Sequence, residues 1–298
     1  MKIGHLSETD IPGSRTRQWV VRADDSDQRG WIRGQPVCRA LGQHRIAHLG
    51  MRQARAPYAI VRLKQSGTFF MACLKGEGRI LVDGRWQACR AGMGCLLPPH
   101  MLHAFHAVKG RPWHFVWVRY QPEPEKRPIV RVGSPVMTAF DGGPLQASVM
   151  GLHAECLGAP SPAAVHHWLE LIQGYVLRFA QPWQMDARLA RLWERVAARP
   201  DAEWSLEDLA QQAHMSGEHL RRLSVQQLGR TPMRQVTYLR MRHACELLSS
   251  TEEKIATVAR RVGYRNPFVF STTFKKWIGW RPSGHRRGGG RGILTPSK

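Results

Sequence analysis

Residues 205–232 read SLEDLAQQAHMSGEHLRRLSVQQLGRTP and residues 255–287 read IATVARRVGYRNPFVFSTTFKKWIGWRPSGHRR, and the two segments carry one apolar pattern twice. In the first, Leu206, Leu209, Ala210, Ala213, Met215, Leu220 and Leu223 fall on the inner faces of two helices separated by a tight turn. In the second, Ile255, Val258, Ala259, Val262, Gly263, Tyr264, Phe270 and Phe274 repeat the spacing. Ser216 and Asn266 stand where each second helix begins, as residues that can accept from the open amides of a first turn, and Pro267 follows where a missing N–H costs nothing. Each copy closes with a glycine that can stop a helix and a proline three residues on that can start one: Gly229 and Pro232, then Gly279 and Pro282. The pattern predicts two helix-turn-helix units.

Leu206 and Ile255 lie 49 residues apart while Leu220 and Phe270 lie 50 apart, so the second unit carries one extra turn residue. Between the units, Met233 to Ser249 is predicted as a helix with Val236, Leu239, Ala244, Leu247 and Leu248 on one side, about 25 Å long at 1.5 Å per residue. Such a rod can hold two recognition helices apart. From Lys254 to the end there are eleven Lys or Arg and no Asp or Glu, a surface suited to a polyanion. The bland alternative, two hairpins that form only a small helical core, leaves this charge without a role.

The run from Ile255 to Arg286, with Ala259, Gly263, Tyr264, Asn266, Pro267, Phe270, Ser271, Phe274, Lys275, Gly279 and Pro282, resembles the C-terminal domain of the arabinose-regulator (AraC-type) transcription factors. The resemblance extends over Asp186 to Arg287. It implies a sequence-specific regulator of transcription with double-stranded DNA as partner, a homodimer, and RNA polymerase as a further partner if the protein activates. By the same match, the base-reading positions are Glu218, Arg221 and Arg222 in the first unit and Pro267, Phe268, Val269, Ser271 and Thr272 in the second, with Arg265, Lys275 and Lys276 on phosphate. Arginine can bond guanine with two hydrogen bonds and glutamate can accept from cytosine, whereas Phe268 and Val269 offer methyl contact to thymine. The first unit is therefore expected to read a G/C-containing stretch and the second a T-containing one about one helical turn away. A phosphate contact is the alternative for Arg221. Two departures from the family pattern fall in the first unit: His214 replaces a turn glycine and Ser224 replaces an apolar aromatic.

A net charge of +22 over 298 residues is divided equally, +11 on either side of Gln181, so the shorter C-terminal part is the more densely basic. The length allows two cores, and 43% hydrophobic residues is ordinary for a globular chain. Six cysteines without a CxxC pair read as free thiols. Without an apolar signal segment or a run of about 18 apolar residues, a cytoplasmic location and no membrane contact are expected.

Residues 1–30, polar and charged with a cluster of Asp24, Asp25 and Asp27, are expected to be a mobile arm. Over 31–125, short apolar runs broken by glycine and proline predict strands at Thr68–Leu74, Arg79–Val82, Arg85–Cys89, Cys95–Leu97, His103–Ala107 and Trp113–Tyr120, with a hairpin turn at Asp83-Gly84. Their order, with Gly76, Gly78, Gly92, Gly94, Pro98, Pro99 and His103, resembles the cupin-type sensor domain of many such regulators, a β-barrel or jelly roll. The expected fold class is thus a two-domain α+β chain, with an all-α double helix-turn-helix following the barrel. Region 126–185 is expected to be a linker that ends in a helix, 186–287 the DNA-binding domain and 288–298 a flexible tail.

Cupin enzymes hold a metal through a His-x-His pair and further ligands, and the earlier strands lack that pair. His103 and His106 point to opposite faces of one strand, so no metal and no cofactor are expected. A small-molecule effector, if there is one, should meet the inward-facing His103, Phe105, Phe115 and Trp117. Because two of the three aromatics that match ligand-contact positions are phenylalanines, a ligand less polar than a free sugar is expected. An aromatic core without ligand remains open, as do a ligand-independent regulator and a cupin-type enzyme with an accessory basic domain. In Val165, Trp168, Leu169, Ile172, Tyr175, Val176 and Phe179 one apolar stripe predicts a helix that packs either on its own barrel or on a second chain. After it, a helix from Asp186 to Ala198 opens the DNA-binding domain.

Overall fold

The computed structural model describes residues 9–13, 15–62, 67–99, 101–121, 129–182 and 185–286. The expected tail, residues 1–8 and 14 of the expected arm, residues 126–128 and 183–184 of the expected linker, and Arg287 lie outside the described residues. Among the described residues ten strands come first: β1 (Thr9–Ile11), β2 (Arg17–Arg22), β3 (Ile46–Ala54), β4 (Ala59–Arg62), β5 (Phe69–Val82), β6 (Arg85–Arg90), β7 (Met93–Leu97), β8 (His103–Ala107), β9 (Trp113–Tyr120) and β10 (Met137–Ala139). Among the described residues the α-helices follow: α1 (Gly143–Leu157), α2 (Pro162–Ala180), α3 (Ala187–Ala198), α4 (Leu206–Gln212), α5 (Gly217–Leu228), α6 (Pro232–Ser250), α7 (Ile255–Arg261), α8 (Pro267–Ile278) and α9 (Pro282–Arg286).

All the strand pairings are antiparallel and run β1-β4-β8-β5-β9-β3-β2, with β6 and β7 on β5 and β10 on β7, which curls the sheet into a barrel. Three sequence expectations change here. Residues 17–22 are no mobile arm: β2 pairs with β3 from Arg17–Gln53 to Arg22–His48 and buries Val20 and Val21. Polar composition hid a six-residue strand whose inward side chains are few.

Two expected strands, Thr68–Leu74 and Arg79–Val82, are one strand, β5, bent rather than broken at its glycines. Gly76 takes a positive φ of 74°, and the ring of Trp113 lies so close over Gly78 that a Cβ there would stand 2.3 Å from it. The bend lets β5 pair with β9 at one end and with β8 at the other. In the proline- and glycine-rich connector, Pro144 starts α1 instead of a loop, and Leu145, Val149 and Leu152 bury one face of it.

The barrel has an inner core that includes Tyr58, Phe69, Met71, Phe105, Trp113, Phe115 and Trp117. A second apolar layer joins its outer face to α1 and α2. There Val165, Leu169, Ile172, Val176 and Phe179 pack on the barrel of their own chain, while Trp168 lies over Gly151 of α1. A third core, around Trp193, Leu220, Tyr238, Phe270 and Phe274, belongs to the helices from α3 onward.

Candidate DNA-reading helices and sensor cavity

In the C-terminal half, local chemistry sets each helix. Ser205 and Asp208 form a reciprocal capping box at the start of α4, at 3.0 and 3.1 Å. The Ser216 hydroxyl accepts from the His219 amide at 3.2 Å, and Asn266 Oδ1 accepts from the Phe268 amide at 2.8 Å. Gly229 and Gly279 end α5 and α8 at φ 72° and 103°, where a Cβ would be strained. The helices α4–α5 and α7–α8 are thus two helix-turn-helix units, joined by the 19 residues of α6.

His214, in the first turn, does adopt the left-handed conformation, at φ 52°. Ser224 is fully buried and its hydroxyl has no hydrogen-bond partner. On α5, Glu218, Arg221 and Arg222 are all exposed, and Arg222 reaches back to His219 Nδ1 at 3.2 Å. On α8, Phe268 is 83% exposed and Val269 53%, large apolar side chains left in water at the first turn of a helix. Thr272 is exposed, while Pro267 and Ser271 are half-buried. Lys275 is exposed. So is Lys276, but it lies beside Gly84: a Cβ there would stand 2.8 Å from Lys276 Cγ. Arg265 pairs with Glu203, both fully in solvent.

The far ends of both recognition helices rest on the barrel. The Leu228 carbonyl of α5 accepts from the Val136 amide at 2.9 Å, and the Ile278 carbonyl of α8 accepts from the Leu102 amide at 3.1 Å. These satisfy carbonyls that a helix end leaves open. Beside them Arg230 clamps Asp83, in the β5–β6 turn, through two hydrogen bonds of 2.7 and 3.0 Å, with both side chains buried. Arg234 donates to the Asp83 carbonyl at 2.8 Å, and Gln235 to the Val132 carbonyl at 3.0 Å.

Inside the barrel, His103, Phe105, Phe115 and Trp117 line one cavity, together with Trp31, His48, Arg52, Tyr58 and others, with about 420 Å³ between protein atoms, part of it open to solvent. Sequence reading missed the polar part of this wall because it missed β3. On that strand His48, Gly50 and Arg52 alternate inward, and a Cβ at Gly50 would stand 2.7 Å from the Trp117 ring. The signal available was that alternation, His-x-Gly-x-Arg, opposite a tryptophan. His103 Nε2 donates to the Pro98 carbonyl at 2.8 Å, so its Nδ1 is an acceptor, buried and without partner. Burial pushes its pKa down to about 3. His106 turns to the other face, against Trp86. No group of three metal-ligating side chains occurs among the described residues, and no described helix is long and apolar enough to cross a membrane.

A barrel followed by two helix-turn-helix units defines a two-part regulator, and comparison with known proteins gives the same result. The helix-turn-helix domain family matches residues 209–288, and the AraC-like ligand binding domain family matches residues 65–127. The MmsAB operon regulatory protein of Pseudomonas aeruginosa is 27% identical, across 95% of this chain and 96% of its own. The arabinose operon regulatory protein of Escherichia coli is 26% identical over 76% of this chain and 82% of its own. Among solved structures, the C-terminal domain of AraT from Geobacillus stearothermophilus is 33% identical over 39% of this chain and 94% of that one, with a TM-score of 0.34. The chain belongs to the AraC-type transcription regulators, with a DNA-binding helix-turn-helix domain and an N-terminal ligand-binding domain.

Proposed function

We propose that this regulator reads DNA with α5 and α8 in successive major grooves, in a manner set by a small molecule in the barrel. The observation that carries the reading is the pair of exposed side-chain sets, Glu218, Arg221 and Arg222 on one helix and Phe268, Val269 and Thr272 on the other. Both helices are pinned at the opposite end, so their first turns face away from the barrel. Glu218, Arg221 and Arg222 address a G/C-containing segment. Phe268 and Val269, both exposed, address thymine methyl groups, with Pro267, Ser271 and Thr272 beside them. Phosphate contact is assigned to Arg265, Lys275 and Lys276. The exposed Arg265–Glu203 pair is worth little in water and exchanges readily for a phosphate.

Ligand state has a short route to α8. His103 lines the cavity and also the cleft that holds Asp83, Arg230 and Trp277, and Leu102, next to it in sequence, bonds Ile278. A homodimer would use the outer edges of α1 and α2, where Leu157 and Leu171 are exposed, because the main stripe of α2 is occupied by its own barrel. A sedimentation run showing a monodisperse monomer at micromolar concentration counts against it. If the protein activates, RNA polymerase is a further partner.

The test is selection of bound sites from random duplex DNA by the full chain. Two enriched segments about 10 to 10.5 bp apart are expected, G/C in one and T in the other. In Arg221→Ala, preference in the G/C segment relaxes and affinity falls by about 1 to 3 kcal/mol. Unchanged preferences would remove Arg221 from base reading and make it a phosphate contact.

A further inference from the structure

The cavity wall buries a guanidinium, that of Arg52, which no carboxylate among the described residues balances. Four guanidiniums line it, those of Arg29, Arg52, Arg62 and Arg119. Asp27 pairs with Arg29, and Asp10 pairs with Arg62 at 2.6 Å. Arg52, only 3% exposed, has no carboxylate partner among the described residues. It donates to the Tyr58 hydroxyl at 2.9 Å and to Gln18 Oε1, and its Nε donates to nothing. Its guanidinium lies 4.8 Å from the Trp31 ring centre and 5.1 Å from those of Tyr58 and Trp117. Rings stabilise a cation by their faces but do not supply the in-plane acceptor that a guanidinium N–H needs.

A second mismatch stands beside it. An indole N–H can only donate, so the 3.1 Å contact from Trp117 Nε1 makes His48 Nδ1 the acceptor and leaves the ring proton on Nε2. That Nε2 faces Arg29 at 3.3 Å, and a guanidinium also only donates. Burial first, then the charges of Arg29 and Arg119, hold His48 well below the usual imidazole range, so the ring stays neutral. Arg29 has its acceptor in Asp27, whereas the Nε2–H of His48 faces a donor where an acceptor should stand.

Building on the barrel's role as a ligand site, we propose that the cavity takes a small organic anion, a carboxylate on an apolar body. Its carboxylate accepts from Arg52 and His48 Nε2, and its body lies on Phe105, Phe115 and Trp117. The anion supplies the acceptor both mismatches lack and balances the unpaired charge of Arg52. The apolar floor selects against free inorganic phosphate, which shares the charge but has no body to bury. Arginine, with its planar fork, suits a carboxylate better than a lysine would.

The full chain is tested against benzoate, phenylacetate and hexanoate, the amide of each acid, D-arabinose and inorganic phosphate, by thermal unfolding and by quenching of tryptophan fluorescence. At least one acid is expected to bind saturably, its amide at least about tenfold more weakly, as loss of a charge-assisted hydrogen bond requires. Arg52→Met lowers acid affinity at least about tenfold and Arg52→Lys by less, with far-UV circular dichroism reporting on the fold. Equal binding of acid and amide, or acid binding undiminished in Arg52→Met, overturns the anionic class. So does binding by none of the acids. Binding by arabinose or an amide in those cases leaves the ligand-responsive barrel standing, whereas no binding by any compound removes both. If Arg52→Met does not fold, the acid and amide pair on the unaltered chain still decides, with Arg52→Lys as the second arm.

Discussion

Single residues carry two of the consequences. The Ser224 hydroxyl is buried without a partner where the family pattern has an apolar side chain, so it keeps its desolvation cost and receives nothing for it. Ser224→Ala should raise the stability of the C-terminal helices by about 1 kcal/mol, seen as a higher urea midpoint; a lower midpoint would mean that the hydroxyl has a partner in solution. His48 and His103 give the barrel a pH dependence. Both have folded pKa values below the ordinary imidazole value, so the unfolded chain binds protons that the folded barrel refuses. The stability they contribute is complete above about pH 6.5 and is lost as pH falls toward about 3, the folded value of His103, at about 1.4 kcal/mol per pH unit for each ring. Urea unfolding of the barrel between pH 7 and 5 should show this slope, and His103→Gln, which keeps a donor for the Pro98 carbonyl, should reduce it by about half.

Among the elements, the two helix-turn-helix units were legible because their signals are local. Ser205, Ser216, Asn266, Gly229 and Gly279 act within one turn of themselves, and the 3.6-residue apolar spacing needs no knowledge of a partner. The barrel strands were legible only where turns punctuated them, as at Asp83-Gly84. The strand β3 was not, since its inward residues His48, Gly50 and Arg52 are polar or lack a side chain and so carry no apolar alternation. The reading surfaces of α5 and α8 differ in chemistry, which sets a contrast between variants. Phe268→Ala should weaken discrimination for thymine in the second segment with the first unaffected, whereas Lys275→Ala should weaken all sequences and lower the slope of log affinity against log salt by about one. If Phe268→Ala reduced binding to all sequences equally, its thymine contact would be wrong.

At the scale of the whole molecule, the decisive contact is Asp83 with Arg230, two buried charges that join the β5–β6 turn to the turn between α5 and α6. Removing one partner of a buried pair leaves an uncompensated charge, at about 3 to 5 kcal/mol, while replacing both by apolar residues is often neutral or stabilising. Asp83→Asn should therefore loosen the docking of the helices on the barrel, measured as faster limited proteolysis of the full chain. Asp83→Leu with Arg230→Met should restore tight docking. Unaltered proteolysis of Asp83→Asn would mean that the helix-end hydrogen bonds to Val136 and Leu102 suffice alone.

The sequence by itself determined the units: two helix-turn-helix motifs, the helix between them, the basic surface and an aromatic-faced barrel strand. Caps, turn residues and apolar periods act over a few residues and are written contiguously. Tertiary structure decided the rest. It brought Arg52 of β3 over Trp31, Tyr58 and Trp117, turned His48 toward Arg29, and set Arg230 on Asp83 across 147 positions of chain. Such contacts depend on strand register and domain docking, and a buried charge shows its meaning only when what faces it is known.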